Sequence, residues 1–274
     1  PAGAQGERVR IREVWSMGFT FDGITSKSMG IATRMATENR VPELRNNTIT
    51  MAGRDGLLDL GASLSERVIP ISCFIPPKRT QAALLQCKDG IVEWLSPDKG
   101  LCELSLDTEP GRVYYARLRS GVAFERVAQL AATFELTFFC PDPYGYAEED
   151  EVFTISAAGS HTVARTKGNV HSNPVYRLKG ILSPGSNRSI TVTTNGTELK
   201  IVNAVLGSGE TLVVDSEKMT AWVEDAGGNT LRNALPYIAD LNFPALNAGN
   251  NTVSVEAANA AFTELKILAK SRWR

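Results

Sequence analysis

The chain has 274 residues, 43% of them hydrophobic and 22% charged, a composition that fits about two folded domains and not a disordered segment. A formal net charge of -1 and a pI near 6.3 lack the basic excess on which phosphate binding rests, which argues against a nucleic-acid-binding protein. No stretch approaches the roughly 18 apolar residues of a membrane-spanning helix, and residues 1–12 are polar and basic, without the apolar core of a leader.

Along the first half, apolar and polar residues alternate over 15–21, 67–74, 101–106, 113–118 and 134–139, the period of half-buried strands. One helix is predicted over 80–95. There Leu84, Cys87, Ile91 and Leu95 recur at spacings of three and four, Thr80 is placed to cap the start, and the sequence 96–100 stops it with Ser-Pro-Asp-Lys-Gly. The segment 32–56 contains Pro42, Asn46-Asn47 and Met51-Ala52-Gly53-Arg54-Asp55-Gly56, and reads as an extended loop or exposed hairpin. Long connections of this kind often carry contacts. Arg34, Arg40, Arg45, Met51 and Arg54 are therefore candidate subunit-interface residues, with an ordinary solvated loop as the competing reading. Cys73, Cys87, Cys102 and Cys140 form no CxxC pair and read as free thiols of a reducing compartment.

A boundary follows the apolar run 134–139, where Pro141 and Pro143 forbid a continuing central strand and the acidic run 148–151 begins. The linker is set at 141–150 and the domains at 1–145 and 146–274. Beyond it, short strands separated by turn signals predict an antiparallel sandwich. The sharpest signal is a hairpin, 189–194 and 197–202, closed by Asn195-Gly196 in a type I′ turn. Further strands are expected at 211–215, 219–223, 251–256 and 263–269. The sequons at Asn46, Asn187, Asn195 and Asn250 read as turn residues, and Gly207-Ser208-Gly209 and Gly227-Gly228-Asn229 as hairpin turns. No repeat of 20 to 50 residues is present.

Chemistry has little to work with. His161 and His171 are the only histidines, no HExxH or DxDxDG string occurs, and the carboxylates are scattered, so no catalytic residue, metal ligand or cofactor site is assigned. A wall-degrading hydrolase would need paired carboxylates or a nucleophile with its base, and the sequence offers neither. Trp222 and Trp273 could form a sugar-stacking platform or fill the sandwich core. The carbohydrate-binding module is thus the alternative reading. The basic end, residues 270–274, is expected to be a solvated strand end.

Several strings occur in an order that resembles the distal tail (Dit) proteins of siphophages. They are Phe21-Asp22-Gly23-Ile24-Thr25-Ser26 with Met29-Gly30-Ile31, then Gly53-Arg54-Asp55-Gly56, Arg67-Val68-Ile69-Pro70-Ile71 and Asp142-Pro143-Tyr144. Later come Gly209-Glu210-Thr211-Leu212-Val213-Val214-Asp215 and residues 243–251, which match the turn Phe-Pro-x-Leu-x-x-Gly-x-Asn. The resemblance implies a mainly β chain: an α+β N-terminal domain that assembles a homohexameric ring, and a galectin-like or carbohydrate-module-like C-terminal sandwich. It further implies a non-enzymatic virion protein of the tail tip, assembled in the bacterial host cytoplasm. Its partners would be the tail tube protein and the tail-associated fibre or lysin protein with other baseplate components. A central channel would pass the genome without tight DNA binding, and no membrane is involved.

Overall fold

The structure, a computed structural model, describes residues 17–35, 41–180 and 187–274. It divides into two compact units, the first ending at Gly145 and the second spanning Tyr146–Trp273. The architecture is mainly β, as the alternation anticipates, with one α-helix among the described residues.

The first unit contains β1 (Phe19–Phe21), β2 (Ile24–Thr25), β3 (Ala32–Met35), β4 (Leu44–Ile49), β5 (Leu58–Leu64), β6 (Arg67–Ile75), α1 (Gln81–Trp94), β7 (Cys102–Leu106), β8 (Arg112–Leu118), β9 (Phe124–Ala128) and β10 (Ala131–Cys140). Seven strands form one antiparallel path, β2-β1-β7-β8-β10-β6-β3, and β9 adds to β10. Its longest ladder joins β10 to β6, from Ala132 opposite Ile75 to Cys140 opposite Arg67. Because successive side chains alternate faces, this register places Ile69, Ile71, Cys73 and Ile75 with Phe134, Leu136 and Phe138 in one core.

Helix α1 covers that core with Leu84, Ile91 and Trp94. Thr80 caps it as expected, its Oγ1 accepting from Ala83 N at 3.2 Å. Cys87, expected on the buried stripe, is only half-buried, and Trp94 takes the deeper place. The Trp94 indole stacks on Phe19 with centroids 5.4 Å apart and donates Nε1–H to Phe21 O at 2.9 Å. The predicted strand at 15–21 is described as a strand only from Phe19, with Met17 in an isolated bridge to Thr33 and Trp15 outside the described residues. The string Asp22-Gly23 makes the β1–β2 turn, both residues having positive φ.

The string Arg67 to Ile71 meets the string Asp142 to Tyr144 through one buried cation. Arg67 Nε donates to Pro143 O at 2.8 Å, and its guanidinium lies 5.3 Å from the centroid of the Tyr114 ring. Burial, then the hydrogen bond that Tyr114 donates to Glu109, push the Tyr114 phenol up to about 12.

Strand β11 (Gly145–Ala147) starts on the last residue of the first unit, and the second unit continues with β12 (Val152–Ile155), β13 (Gly159–Arg165), β14 (Val175–Lys179), β15 (Ser189–Thr194), β16 (Thr197–Val202), β17 (Thr211–Asp215), β18 (Thr220–Glu224), β19 (Thr230–Asn233), β20 (Gly249–Ala258), β21 (Glu264–Leu268) and β22 (Arg272–Trp273). Six strands form one sheet, β12-β21-β14-β17-β18-β19, and four form another, β13-β20-β15-β16. Alternate residues of both sheets enter a single core: Tyr176, Leu178, Leu212, Val214, Val223, Leu265 and Ile267 from the first, and Val163, Ile190, Val192, Leu199, Ile201, Val253 and Val255 from the second. This is a sandwich. The β15–β16 hairpin turns on Asn195 (φ 51°) and Gly196 (φ 87°), the two positive angles a type I′ turn needs. Of the other sequons, Asn187 has a positive φ, whereas Asn46 and Asn250 lie within strands and are not turn residues.

The string 243–251 feeds the chain into β20. Leu246 is buried and exchanges backbone hydrogen bonds with Ser172 at 2.8 and 2.9 Å. Asn251, also buried, accepts at Oδ1 from Asn195 Nδ2 (2.7 Å) and Asn247 N (2.7 Å), and donates from Nδ2 to Asn247 O (3.1 Å) and Gly249 O (2.9 Å). One carboxamide thus holds the turn and the β15–β16 hairpin together.

Two expectations are corrected around the linker. Of the segment 141–150, residues 145–147 form β11, which pairs with β22. The acidic run supplies acceptors to backbone donors: Asp150 accepts from Lys270 N (2.7 Å) and Ser271 N (3.0 Å), and Glu151 from Thr166 N (2.8 Å), Thr166 Oγ1 (2.7 Å) and Lys167 N (2.9 Å). The basic end is likewise not a solvated strand end, since Ser271 and Arg272 are buried and Arg272 Nε donates to His171 O at 2.9 Å. These carboxylates satisfy backbone N–H groups that no ladder reaches.

Asn251→Ala is expected to destabilise the second unit by about 1–3 kcal/mol for each buried group it leaves unpaired, whereas Asn250→Ala, on the exposed face, changes stability by no more than about 0.5 kcal/mol. Urea unfolding of both variants measures the difference. Burial alone would raise the Glu151 carboxyl, but the hydrogen bonds from Thr166, Lys167 and Ser271 outweigh it and hold the group below the usual value of 4.5. Its stabilising contribution is therefore complete above 4.5 and lost as pH falls through the depressed folded value. Thermal melts between pH 5 and pH 3, about the span of that loss, should show a steeper decline for the native chain than for Glu151→Gln.

Candidate interaction surface

Strands β4 and β5 pair with each other and form a separate two-stranded sheet. The segment expected to be a loop or hairpin at 32–56 therefore divides, with β3 in the main sheet and the remainder starting a hairpin that extends to Leu64. The tip is closed by Arg54 N donating to Met51 O at 3.3 Å, with Gly53 and Gly56 at positive φ. Leu44 faces Leu64 at the base and Ile49 faces Leu58 near the tip. Leu44 and Ile49 are five residues apart on one strand, so these two apolar pairs lie on opposite faces.

Val41, Leu44, Ile49, Met51, Leu57, Leu58 and Leu60 are between 37% and 60% exposed. An isolated two-stranded ribbon is marginal in water, and so many exposed apolar side chains make the hairpin a candidate contact surface. With apolar pairs on both faces, the ribbon is suited to lie between two surfaces.

Of the predicted interface residues, Arg45, Met51 and Arg54 are brought together on this hairpin, all exposed, with Arg45 Nε 3.4 Å from Ser63 Oγ. Arg34 lies instead on β3, exposed at the rim of an open groove of about 750 Å³ that Ser72, Glu125, Thr133, Glu135 and Thr137 also line. Arg40 lies outside the described residues. The leucines at 57, 58 and 60 were not picked out in the sequence, although the run Leu57-Leu58-Asp59-Leu60 after a Gly-Arg-Asp-Gly turn is a strand signal. Trp222 and Trp273 are both partly exposed but lie on different sheets, in β18 and β22.

The described residues contain no group of three His, Cys, Asp or Glu side chains placed to hold a metal ion. His161 Nε2 lies 3.0 Å from Ala157 O, in a local turn contact. The four cysteines are free, and burial pushes the thiols of Cys73 and Cys140 up to about 12.

Residues 24–140 match the phage tail protein RIFT-related domain, and residues 167–273 match the siphovirus-type tail component, C-terminal domain. The chain belongs to the siphophage distal tail protein family. It is a structural component of the virion tail tip. Its fold is similar to that of the Dit protein (gp 19.1) of phage SPP1, described as a paradigm of hub adsorption apparatus in phages infecting Gram-positive hosts: the TM-score is 0.72 at 17% identity, over 94% of this chain and 99% of that one. A chain of the phage p2 baseplate in its activated conformation with Sr aligns at a TM-score of 0.49 and 11% identity, over 92% of this chain and 97% of that one. No curated protein matches at the sequence level.

In thiol labelling followed by mass spectrometry, Cys73 and Cys140 are expected to stay unmodified in the native protein and to react only on unfolding, while half-buried Cys87 reacts first.

Proposed function

We propose that this distal tail protein assembles as a six-membered ring at the tail tip, with residues before Pro141 forming the ring and the β4–β5 hairpin reaching from each copy onto its neighbour. The ring joins the tail tube to the fibre or lysin and other baseplate parts, leaves a central passage for the genome, and acts without catalysis. The hairpin carries this reading. It buries almost nothing within its own chain, yet presents apolar pairs on both faces, which a closed ring of identical copies would cover repeatedly. The near-neutral net charge supports a passage that does not hold DNA. The fold shared with a hub protein of the adsorption apparatus supports the place in the tail.

Light scattering of the purified chain is expected to give about six times the 29.7 kDa monomer mass, or a concentration-dependent approach to it, and electron microscopy of the tail tip a six-fold ring. A strict monomer at high concentration together with a virion lacking such a ring would overturn the reading. The double variant Leu44→Ser, Leu58→Ser should shift the population toward monomer while changing the unfolding free energy of the isolated chain by only about 0.5 kcal/mol, because both side chains are already exposed.

A further inference from the structure

The outward face of the six-stranded sheet carries a constellation that the sandwich core does not explain. Val213 is buried, 1% exposed, but does not belong to the core cluster, because Leu212 and Val214 on either side of it point inward. Its cross-strand neighbours on the outward face are Arg177 of β14 and Trp222 of β18. Arg177 bonds Glu224 of β18, and the intervening strand is β17. Two inter-strand spacings separate these residues, about 10 Å, so the ion pair crosses over β17 and closes Val213 and Thr211 from above. Trp222 stands beside this strap, partly exposed and outside the core, and among the described residues its indole N–H has no partner. Asn233, exposed and directly opposite Trp222 on β19, uses its Oδ1 to accept from Leu235 N at 3.0 Å, which leaves the amide N–H groups facing solvent.

A flat aromatic surface flanked on one side by a guanidinium–carboxylate pair and on the other by a carboxamide has the chemistry of a site for a pyranose ring. The indole face takes the apolar C–H face of the sugar. The ring hydroxyls find Arg177 and Asn233 as donors, while Glu224, itself buried, orients the Arg177 guanidinium from below. The ion pair holds its polar groups in place before any ligand arrives, which lowers the ordering cost of binding. A neutral sugar fits better than an anionic one, because the other cations on this face, Lys179 and Lys266, already lie 3.8 and 3.4 Å from Glu264. We propose that this face of the second unit binds a neutral pyranose of a surface polysaccharide, with Trp222 as the stacking platform, Arg177 and Asn233 as hydroxyl partners, and buried Glu224 holding Arg177 in place. Trp273, in β22, lies on another sheet and takes no part. The proposal is independent of the ring.

The test is a glycan array probed with the full chain, followed by calorimetric titration with cellotriose, chitotriose, maltotriose and lactose. Binding of at least one neutral saccharide is expected, weakened by about tenfold or more in Trp222→Ala and in Asn233→Ala and unchanged in Trp273→Ala. Asn233 is exposed at a sheet edge and carries no core packing, so its variant decides the matter if Trp222→Ala does not fold. Absence of binding to every glycan on the array, or binding that survives both substitutions at Trp222 and Asn233, would overturn the site. Selective capture of anionic glycans alone would also overturn it.

Discussion

The first unit depends on the ladder between β6 and β10. Over its whole length it fixes which side chains enter the core, since a slip of one residue would send Ile71, Cys73, Leu136 and Phe138 to the opposite face. Everything else in the unit attaches to that decision. The helix packs Leu84, Ile91 and Trp94 on the face so defined, and β3, β8 and β9 add at the flanks. The other face of the ladder is left to Pro70, Ser72, Glu135 and Thr137, and the open groove beside Arg34 forms there.

Where the chain leaves its ladders, single polar side chains take over the unsatisfied backbone. Arg67 does so at Pro143, Asn251 at the 243–251 turn, and Asp150 and Glu151 at the entry to the sandwich. Three of the strings through which the family is recognised contain or contact these groups. Geometry accounts for these residue types: a buried carbonyl or amide needs one partner of the right length, and few side chains supply it. The charged pair Glu210–Arg232 does similar work at an exposed turn, with Glu210 held down at about 2 by the Arg232 and Gly207 hydrogen bonds.

Much of this was legible beforehand. Alternation located the long strands, the Asn-Gly pair located a hairpin, and Thr80 located a helix start, because each rests on local chemistry. The short strands β2, β12 and β22 carry two to four residues each and are defined by their partners, so no local period announces them. The linker set at 141–150 and the solvated basic end share one cause. Prolines and charge are local signals, while in the fold the two segments meet each other, a contact more than a hundred residues distant in sequence. The exposed hairpin was half legible. Its glycines and arginines drew attention, whereas the leucines that follow them were not picked out.

The bulge in β5 has a consequence for the life of the chain before it reaches a virion. Between Asn46 and Thr48 the two strands fall out of step, with Gly61 at φ 90° on the wider side. A straight ribbon with two open edges and leucines on both faces would be a template on which other chains could add indefinitely as strands. The extra residue twists the ribbon and interrupts its free edge. A ribbon interrupted in this way is a poor template for an unlimited stack of strands, however many leucines it exposes.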